Sequence, residues 1–593
     1  MPIDPCGKWP LAQRQLGLDR REGGGVLCLR PRTGNLGVRL AVGGSQPSPM
    51  RGLGINSRLR QVQFLTDIGQ VLSEHEVLLT GANGFLGKVI LGLLLDRYPG
   101  LKHLHVLIRP GRGMTAQERF ERELLASPAL EFVRQKWSRE ALAAKVTVWS
   151  GDIGNSNCGL NADAHNELES RIALIINCAG KVDFFPPVDD SFHSNVDGVE
   201  NMVALALEAG AKLLHISTAF VCGEADGLIE ESEPVPGFYP RRRGPQDQSF
   251  HHAVEIDHCR KMIRQIYNSL ADSEDATPNK KRSREAVDRL TALGRQRAAA
   301  WGWTNTYTYT KSLGEQVIAS TEGLSYAIVR PAIVESSWKF PFPGWIEGGR
   351  TSAPLVLMAL AGQREWPARR DAALEVIPVD MVAAAIVMIG GLLLAGRSAS
   401  VYQLGSADVN PIELEPLIKL LGHSAGLAGQ GIPNPKARHG VPRWLVGAGR
   451  SGGTSAVRFL TPAQYHARGA QLRKKIRRAE GVVRGLETLL GKVRINGRQP
   501  FRGWKTALRA MDLQITFREQ TLDQYLPFIM HNRYVFESEN IRVARAEVSP
   551  RDRELLPWAP EEIDWKNYWI HHQIAGIKKW VEPEAVRNWA FRI

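Results

Sequence analysis

Thr80-Gly-Ala-Asn-Gly-Phe-Leu-Gly-Lys88 follows directly on the apolar run Glu76-Val-Leu-Leu-Thr80 and opens the amphipathic segment Phe85 to Arg97. Glycines at 81, 84 and 87 let backbone N–H groups approach a pyrophosphate at the positive end of a helix. A glycine triplet by itself is a weak signal, and an ordinary strand-to-helix turn has the same look. Its place between a strand and a helix, at the start of an alternating α/β pattern, favours dinucleotide binding.

Working outward from that loop, apolar runs of four to eight residues alternate with helical segments, the pattern of strands buried on both faces of a parallel sheet. The predicted strands are Glu76 to Thr80, His103 to Arg109, Lys145 to Trp149, Ala173 to Asn177, Lys212 to Ser217 and Ser325 to Arg330. The expected fold class is α/β: a Rossmann-like, doubly wound parallel sheet over 71–410. A helical insertion is expected at about 224–304, with helical spacing in His258 to Leu270 and Arg284 to Ala300 around a breaker near Thr277-Pro-Asn-Lys-Lys281. A mainly helical domain over 411–593 follows, entered through the Gly/Pro/Ser-rich linker Leu427 to Thr454. Its tryptophan-rich end (Trp558, Trp565, Trp569, Trp580, Trp589) predicts packing onto the rest of the chain. Residues 1–70 read as a basic, disordered extension, or as a region upstream of a true start at Met50. The longest apolar run, Met381 to Ala395, carries Gly390 and Gly391 and is shorter than the roughly 20 residues of a membrane span. It reads as a buried helix.

Composition narrows the function classes. The 593 residues are 43% hydrophobic and 23% charged, which excludes a collagenous, disulfide-scaffold or wholly disordered chain. Six cysteines lie scattered without metal spacing, which points to a reducing compartment, against structural disulfides and against a zinc site. The net charge of +14 is unevenly spread, with fourteen Lys and Arg against two acids over residues 448–505. That balance suits an anionic partner, yet the basic regions lack zinc-finger spacing or an aromatic RNA-binding signature, so no nucleic acid is expected.

At the end of the second strand, where an NAD site places an acidic residue, stands Arg109, with Arg112 beyond. A guanidinium there favours the 2′-phosphate of NADP, and a solvated loop arginine is the bland alternative. Asp152 and Ile153, ending the third strand, sit where an adenine ring would lie; Asp152 could accept from its amino group or simply cap a turn. Tyr307-Thr-Tyr-Thr-Lys311 places Tyr307 and Lys311 on one helix face, where a cation can lower a phenol pKa of about 10. Tyr309 falls on another side of the helix. Strand five ends in His215-Ile-Ser-Thr-Ala-Phe-Val-Cys-Gly223, and one of its hydroxyls, Ser217 or Thr218, is expected to bond a substrate oxygen. Cys222 reads as packing.

Thr80 to Lys88, His215 to Gly223, Asn305 to Lys311, Val329-Arg-Pro-Ala-Ile-Val334, Phe340-Pro-Phe-Pro-Gly-Trp-Ile346, Ile377-Pro-Val-Asp380 and Ile563-Asp-Trp-Lys-Asn-Tyr568 together resemble the alcohol-forming fatty acyl-CoA reductases. These are extended short-chain dehydrogenases of the male-sterility type, and the likeness is closest to soluble bacterial forms. The resemblance implies NADPH as cofactor, held by Thr80, Gly81, Gly84, Phe85, Leu86, Gly87, Arg109, Asp152, Ile153, Ala179 and Gly180, with Pro331, Ala332 and Ile333 beside the nicotinamide. It implies Thr218, Tyr307 and Lys311 as catalytic residues, the last two also touching the cofactor, and Asn195 as support for the lysine. A long-chain acyl-CoA is the implied substrate and a primary fatty alcohol, en route to wax esters, the implied product. Phe340 to Trp345, Pro354 to Ala361 and the C-terminal domain are expected to line an acyl tunnel. Other readings stay open: an aldehyde-forming reductase of acyl-CoA or carrier-bound thioesters, and a regulator sensing NADP. The expected location is cytoplasmic. The basic stretch Arg468 to Arg484 admits a peripheral membrane contact, CoA phosphates or plain solvent, and a homo-oligomer is equally admitted.

Overall fold

The computed structural model describes residues 65–111, 113–244, 246–271, 283–427, 457–492 and 498–583. All belong to one compact unit, Phe64–Ile593. Its centre is a seven-stranded parallel sheet: β1 (Glu76–Thr80), β2 (His103–Ile108), β3 (Val146–Ser150), β4 (Ile172–Asn177), β5 (Lys212–Ile216), β7 (Tyr326–Pro331) and β11 (Val401–Leu404), in the order β11-β7-β5-β4-β1-β2-β3. The six predicted strands are all present, with ends displaced by one residue at most. The seventh, β11, was not predicted: Val-Tyr-Gln-Leu is short and half polar, and becomes a strand because the edge of β7 is there to receive it.

Sheet order reverses between β1 and β4, and at such a switch point the loops after neighbouring strands diverge and leave a crevice at the carboxyl edge. The helix after β1, Phe85–Arg97, is buried on every face from Gly87 to Leu95, so the expected amphipathic stripe is absent. The cause is a second helix, Val379–Leu394, packed against it and itself buried along almost its whole length. That helix contains the Met381 run, which is core. Among the described residues no helix is long and apolar enough to cross a membrane.

The insertion supplies helices His252–Ala271 and Arg284–Trp301, while its expected breaker lies outside the described residues. It is not wholly helical. Strand β6 (Asp226–Ile229) pairs in parallel with β13 (Arg533–Phe536) from the C-terminal region. That region is otherwise mainly helical, with Pro462–Lys492 and Arg498–Leu526 its longest helices. Trp558, Trp565 and Trp569 are buried, as the aromatic-rich end predicts, and Trp589 lies outside the described residues. The linker expected at Leu427 to Thr454 lies almost wholly outside them too. So does the N-terminal extension up to residue 64, but its last residues are folded. Helix Ile68–Glu74 buries Ile68, whose N–H donates to Asp552 Oδ2 at 2.9 Å.

Two carboxyl groups, the half-buried Glu231 and the buried Glu375, fasten the C-terminal region to the sheet. Glu231 accepts from the N–H of Gln403 and of Asn540, both at 2.6 Å. Glu375 accepts from Phe536 at 2.7 Å and Ser406 at 3.2 Å. Burial pushes both carboxyls up to about 7. The folded protein therefore keeps protons that an unfolded chain, with carboxyls near 4.5, releases. Their stabilising contribution is complete below about 4.5 and is lost as pH rises through 7. Denaturation midpoints of wild type and Glu231→Gln at pH 5 and pH 8 check this: the variant is expected to lose more at pH 5.

Candidate active site

One cavity of about 1210 Å³ opens at the carboxyl edge of the sheet. Every predicted cofactor and catalytic residue borders it: Thr80, Gly81, Gly84, Phe85, Leu86, Gly87, Arg109, Asp152, Ile153, Ala179, Gly180, Thr218, Tyr307, Lys311, Pro331, Ala332 and Ile333.

The glycine loop forms the floor at one end of the cavity. Gly81 has φ +72°, and a Cβ on Gly87 would lie 2.2 Å from the Gly81 carbonyl oxygen, so the turn closes only without side chains. Helix Phe85–Arg97 has no side-chain cap, which leaves its first-turn N–H groups for a ligand. Beneath the loop, Thr80 Oγ1 donates to Asn177 Oδ1 at 2.8 Å and accepts from Ala179 N–H at 3.2 Å. This fixes the loop to β4.

At the end of β2, the exposed Arg109 guanidinium stands 3.5 Å from Asp152 Oδ2. Asp152 Oδ1 accepts from Gly154 N–H at 3.1 Å and lies 3.2 Å from His193 Nε2. Burial raises the Asp152 carboxyl, but the His193 and Gly154 hydrogen bonds outweigh it and hold the group below its ordinary value. Asp152 is therefore a turn cap as well as a wall of the cavity.

Asn305 caps helix Thr306–Ala319, its side chain accepting from Thr308 N–H at 2.9 Å. Four residues apart, Tyr307 and Lys311 both reach the cavity. Thr218 Oγ1 donates to the Pro331 carbonyl at 3.5 Å, and the neighbouring Tyr307 phenol is pushed by burial up to about 12, against the lowering pull of the Thr218 hydroxyl. The expected lowering by Lys311 is not found: burial dominates the phenol, and the ammonium donates to the Ile216 carbonyl at 2.7 Å. Burial lowers Lys311 itself to about 8. Of the two candidate hydroxyls, Thr218 is the one that acts on the Tyr307 phenol; Ser217 also borders the cavity, its Oγ buried and without a partner among the described residues. Tyr309 points away and donates to Glu255 Oε1 at 2.6 Å in the core of the insertion. Cys222 is half-buried, and loss of solvent around its thiol raises it to about 12, which keeps it protonated.

Asn195 sits in the π-turn His193–Asp197, a local widening of the helix that sets its amide between two segments. It bridges Lys181, through both N–H (2.9 Å) and carbonyl (3.0 Å), to Thr310 Oγ1 at 3.0 Å. A Cβ on Gly180 would stand 3.1 Å from Asn195 Oδ1 and 3.2 Å from Lys311 Nζ. Asparagine, glycine and lysine thus form one cluster.

Beyond Tyr307 the walls become aromatic. Phe184, Phe220 and Phe528 meet with ring centroids 5.0 to 5.3 Å apart, and Tyr525 joins them 5.7 Å from Phe184. Leu355 and Val356, from the predicted tunnel segment, line the cavity. Phe340 to Trp345 does not; Phe340 packs on Phe132 and Trp345 on Phe85, behind the glycine-loop helix. Tyr525 and Phe528 were not legible as site residues, because their helix carries no motif and reaches the cavity only through tertiary packing.

The fold and this site define a Rossmann-type oxidoreductase that binds a nicotinamide dinucleotide. The NAD-binding "Male sterility protein" family profile matches residues 79–386, more than half of the chain. "Probable fatty acyl-CoA reductase 4" of Arabidopsis thaliana is 28% identical over 530 residues, covering 86% of this chain and 98% of that protein. The "Alcohol-forming fatty acyl-CoA reductase" of Simmondsia chinensis is 28% identical over 366 residues, 60% of this chain and 71% of that one. Among solved structures, the terminal R domain from the myxalamid PKS-NRPS biosynthetic pathway aligns with a TM-score of 0.48 and 15% identity, over 85% of this chain and 91% of that one. The chain belongs to the male-sterility type of fatty acyl-CoA reductase family.

Proposed function

We propose that the protein reduces long-chain fatty acyl-CoA to the primary alcohol, with NADPH as reductant and Thr218, Tyr307 and Lys311 as catalytic residues. The observation that carries this reading is the continuity of one cavity from the glycine loop, past the Tyr307–Thr218 pair, into an apolar arm. The relatives' names, one of them alcohol-forming, point the same way. In domain terms, 71–410 is the nucleotide-binding part and 411–593 contributes acyl-binding walls through Tyr525 and Phe528.

Bound at the glycine loop, NADPH supplies hydride; Arg109 favours its 2′-phosphate. Thr218 and Tyr307 donate hydrogen bonds to the thioester oxygen as it gains charge, each such donor supplying roughly 10² to 10³ in rate. Collapse breaks the C–S bond and expels CoA thiolate, which takes a proton, leaving an aldehyde. In the second reduction Tyr307 gives its proton to the alkoxide, and Lys311 orients the reductant and stabilises the phenolate left behind. Per acyl group, two NADPH and two protons are consumed and one CoA is released.

Palmitoyl-CoA with NADPH is the direct test. Alcohol at two NADPH per CoA is expected, with NADH about tenfold poorer or worse in kcat/KM. Aldehyde at one NADPH per CoA refutes the second step, and absence of NADPH oxidation refutes the reading.

A further inference from the structure

The helix Leu414–Leu427 presents Leu414, Leu417, Ile418 and Leu421 to the cavity. Their spacing of three, four and seven residues is a single helical face. All four are nearly or fully buried, so this wall is closed to solvent. Such a stripe ordinarily packs against another element throughout; here part of it borders open volume, opposite Val356 of helix Ala353–Leu360, on which this helix packs.

Contacts trace the route from the Tyr307–Thr218 pair to this wall. Phe220, two residues after Thr218, packs on Phe528. The next residue, Ile529, accepts from Arg369 N–H at 2.9 Å, which brings the cavity to Trp366 and the Leu414 helix beyond. Side chains along the last part are aliphatic apart from the Trp366 ring. At the end of the described stripe the Arg364 guanidinium lies against Gly422, where a Cβ would stand 2.8 Å from Nη1.

We propose that this helix face is the stop for the acyl terminus, and that Leu417 and Leu421 determine the length of chain accepted. The proposal rests on the acyl-CoA reading of the site. A chain whose thioester carbon lies at Tyr307 extends past the aromatic ring and ends on these leucines. Each methylene the arm admits contributes about fourfold in binding or in kcat/KM, and each one it excludes forfeits that factor.

The test uses the full chain as wild type, Leu421→Trp and Leu421→Ala. Calorimetric Kd values are measured for CoA thioesters from octanoyl to eicosanoyl, alongside kcat/KM from NADPH oxidation. Shortening the arm by about two methylenes is expected to lower the stearoyl-to-lauroyl ratio about fifteenfold in Leu421→Trp. Leu421→Ala is expected to raise it and to move the optimum to longer chains. Unchanged chain-length profiles of Kd in both variants, each folded as judged by its unfolding midpoint, overturn the stop. Shifted Kd profiles without NADPH oxidation support the stop and overturn the reductase reading instead.

Discussion

Tyr307→Phe is expected to lower kcat roughly 10² to 10³-fold while Kd for NADPH changes little. The ring that shapes the cavity wall remains, and only the hydroxyl beside Thr218 is removed. Tyr309→Phe, two residues away, separates chemistry from packing. Its hydroxyl donates to Glu255 and lies 3.1 Å from Cys259 Sγ, inside the insertion. That variant is expected to unfold more readily, by about 1 kcal/mol or more for the lost buried hydrogen bond, and to keep its turnover. Single-turnover absorbance of NADPH, paired with denaturation midpoints, reads both effects. Equal loss of turnover in the two variants would mean that the helix, rather than the Tyr307 hydroxyl, carries the effect.

Arg330→Met is the change with the largest expected cost in stability. On β7, one residue before the cavity-lining Pro331, Arg330 meets Glu315 of the Tyr307 helix through Nε at 3.0 Å and Nη2 at 2.6 Å. Its Nη1 donates to the Ser232 carbonyl at 2.9 Å. Both side chains are almost wholly buried. Removing one partner strands the other charge in a medium that cannot solvate it, a loss of about 3 to 5 kcal/mol. The double variant Glu315→Leu/Arg330→Met leaves no stranded charge and is expected to recover most of that loss. Urea midpoints of the three proteins decide the matter, and a double variant no better than the single one would show that the pair itself is indispensable.

What was legible in the sequence was local. Strands buried on both faces announce themselves as unbroken apolar runs, and the glycine loop and the Tyr307–Lys311 spacing are each set within nine residues. Those signals fall on residues that border one cavity, the glycine loop at one end and the hydroxyls of Thr218 and Tyr307 further in. Less local features escaped. Strand β11 hides a polar residue, Gln403, which is buried because its amide donates to the carbonyls of Ile229 and Glu537, both at 3.0 Å. Neither partner is near it in the chain. Placement and family likeness point to Phe340 to Trp345 as tunnel wall, yet neither says which side of a helix a segment will cover. The phenol of Tyr307 looked tunable by Lys311, but burial acts on both groups and the lysine finds a carbonyl first.

The pairing of β6 with β13 also bears on how the molecule is made. Asp226 stands opposite Arg533, so a strand that begins just after the Thr218 segment waits for a partner more than three hundred residues later. Loop-closure entropy must be overcome before such non-local contacts reward it, so assembly is slow and late. During synthesis the nucleotide half emerges first, with the edge of β6 bare and Glu231 and Glu375 still lacking their donors from Asn540 and Phe536. The nascent chain therefore passes through a stage in which an unpaired strand edge is exposed, a state prone to aggregation. A fragment ending near residue 410 would be held at that stage permanently, which makes the whole chain, rather than its nucleotide-binding half, the unit to express.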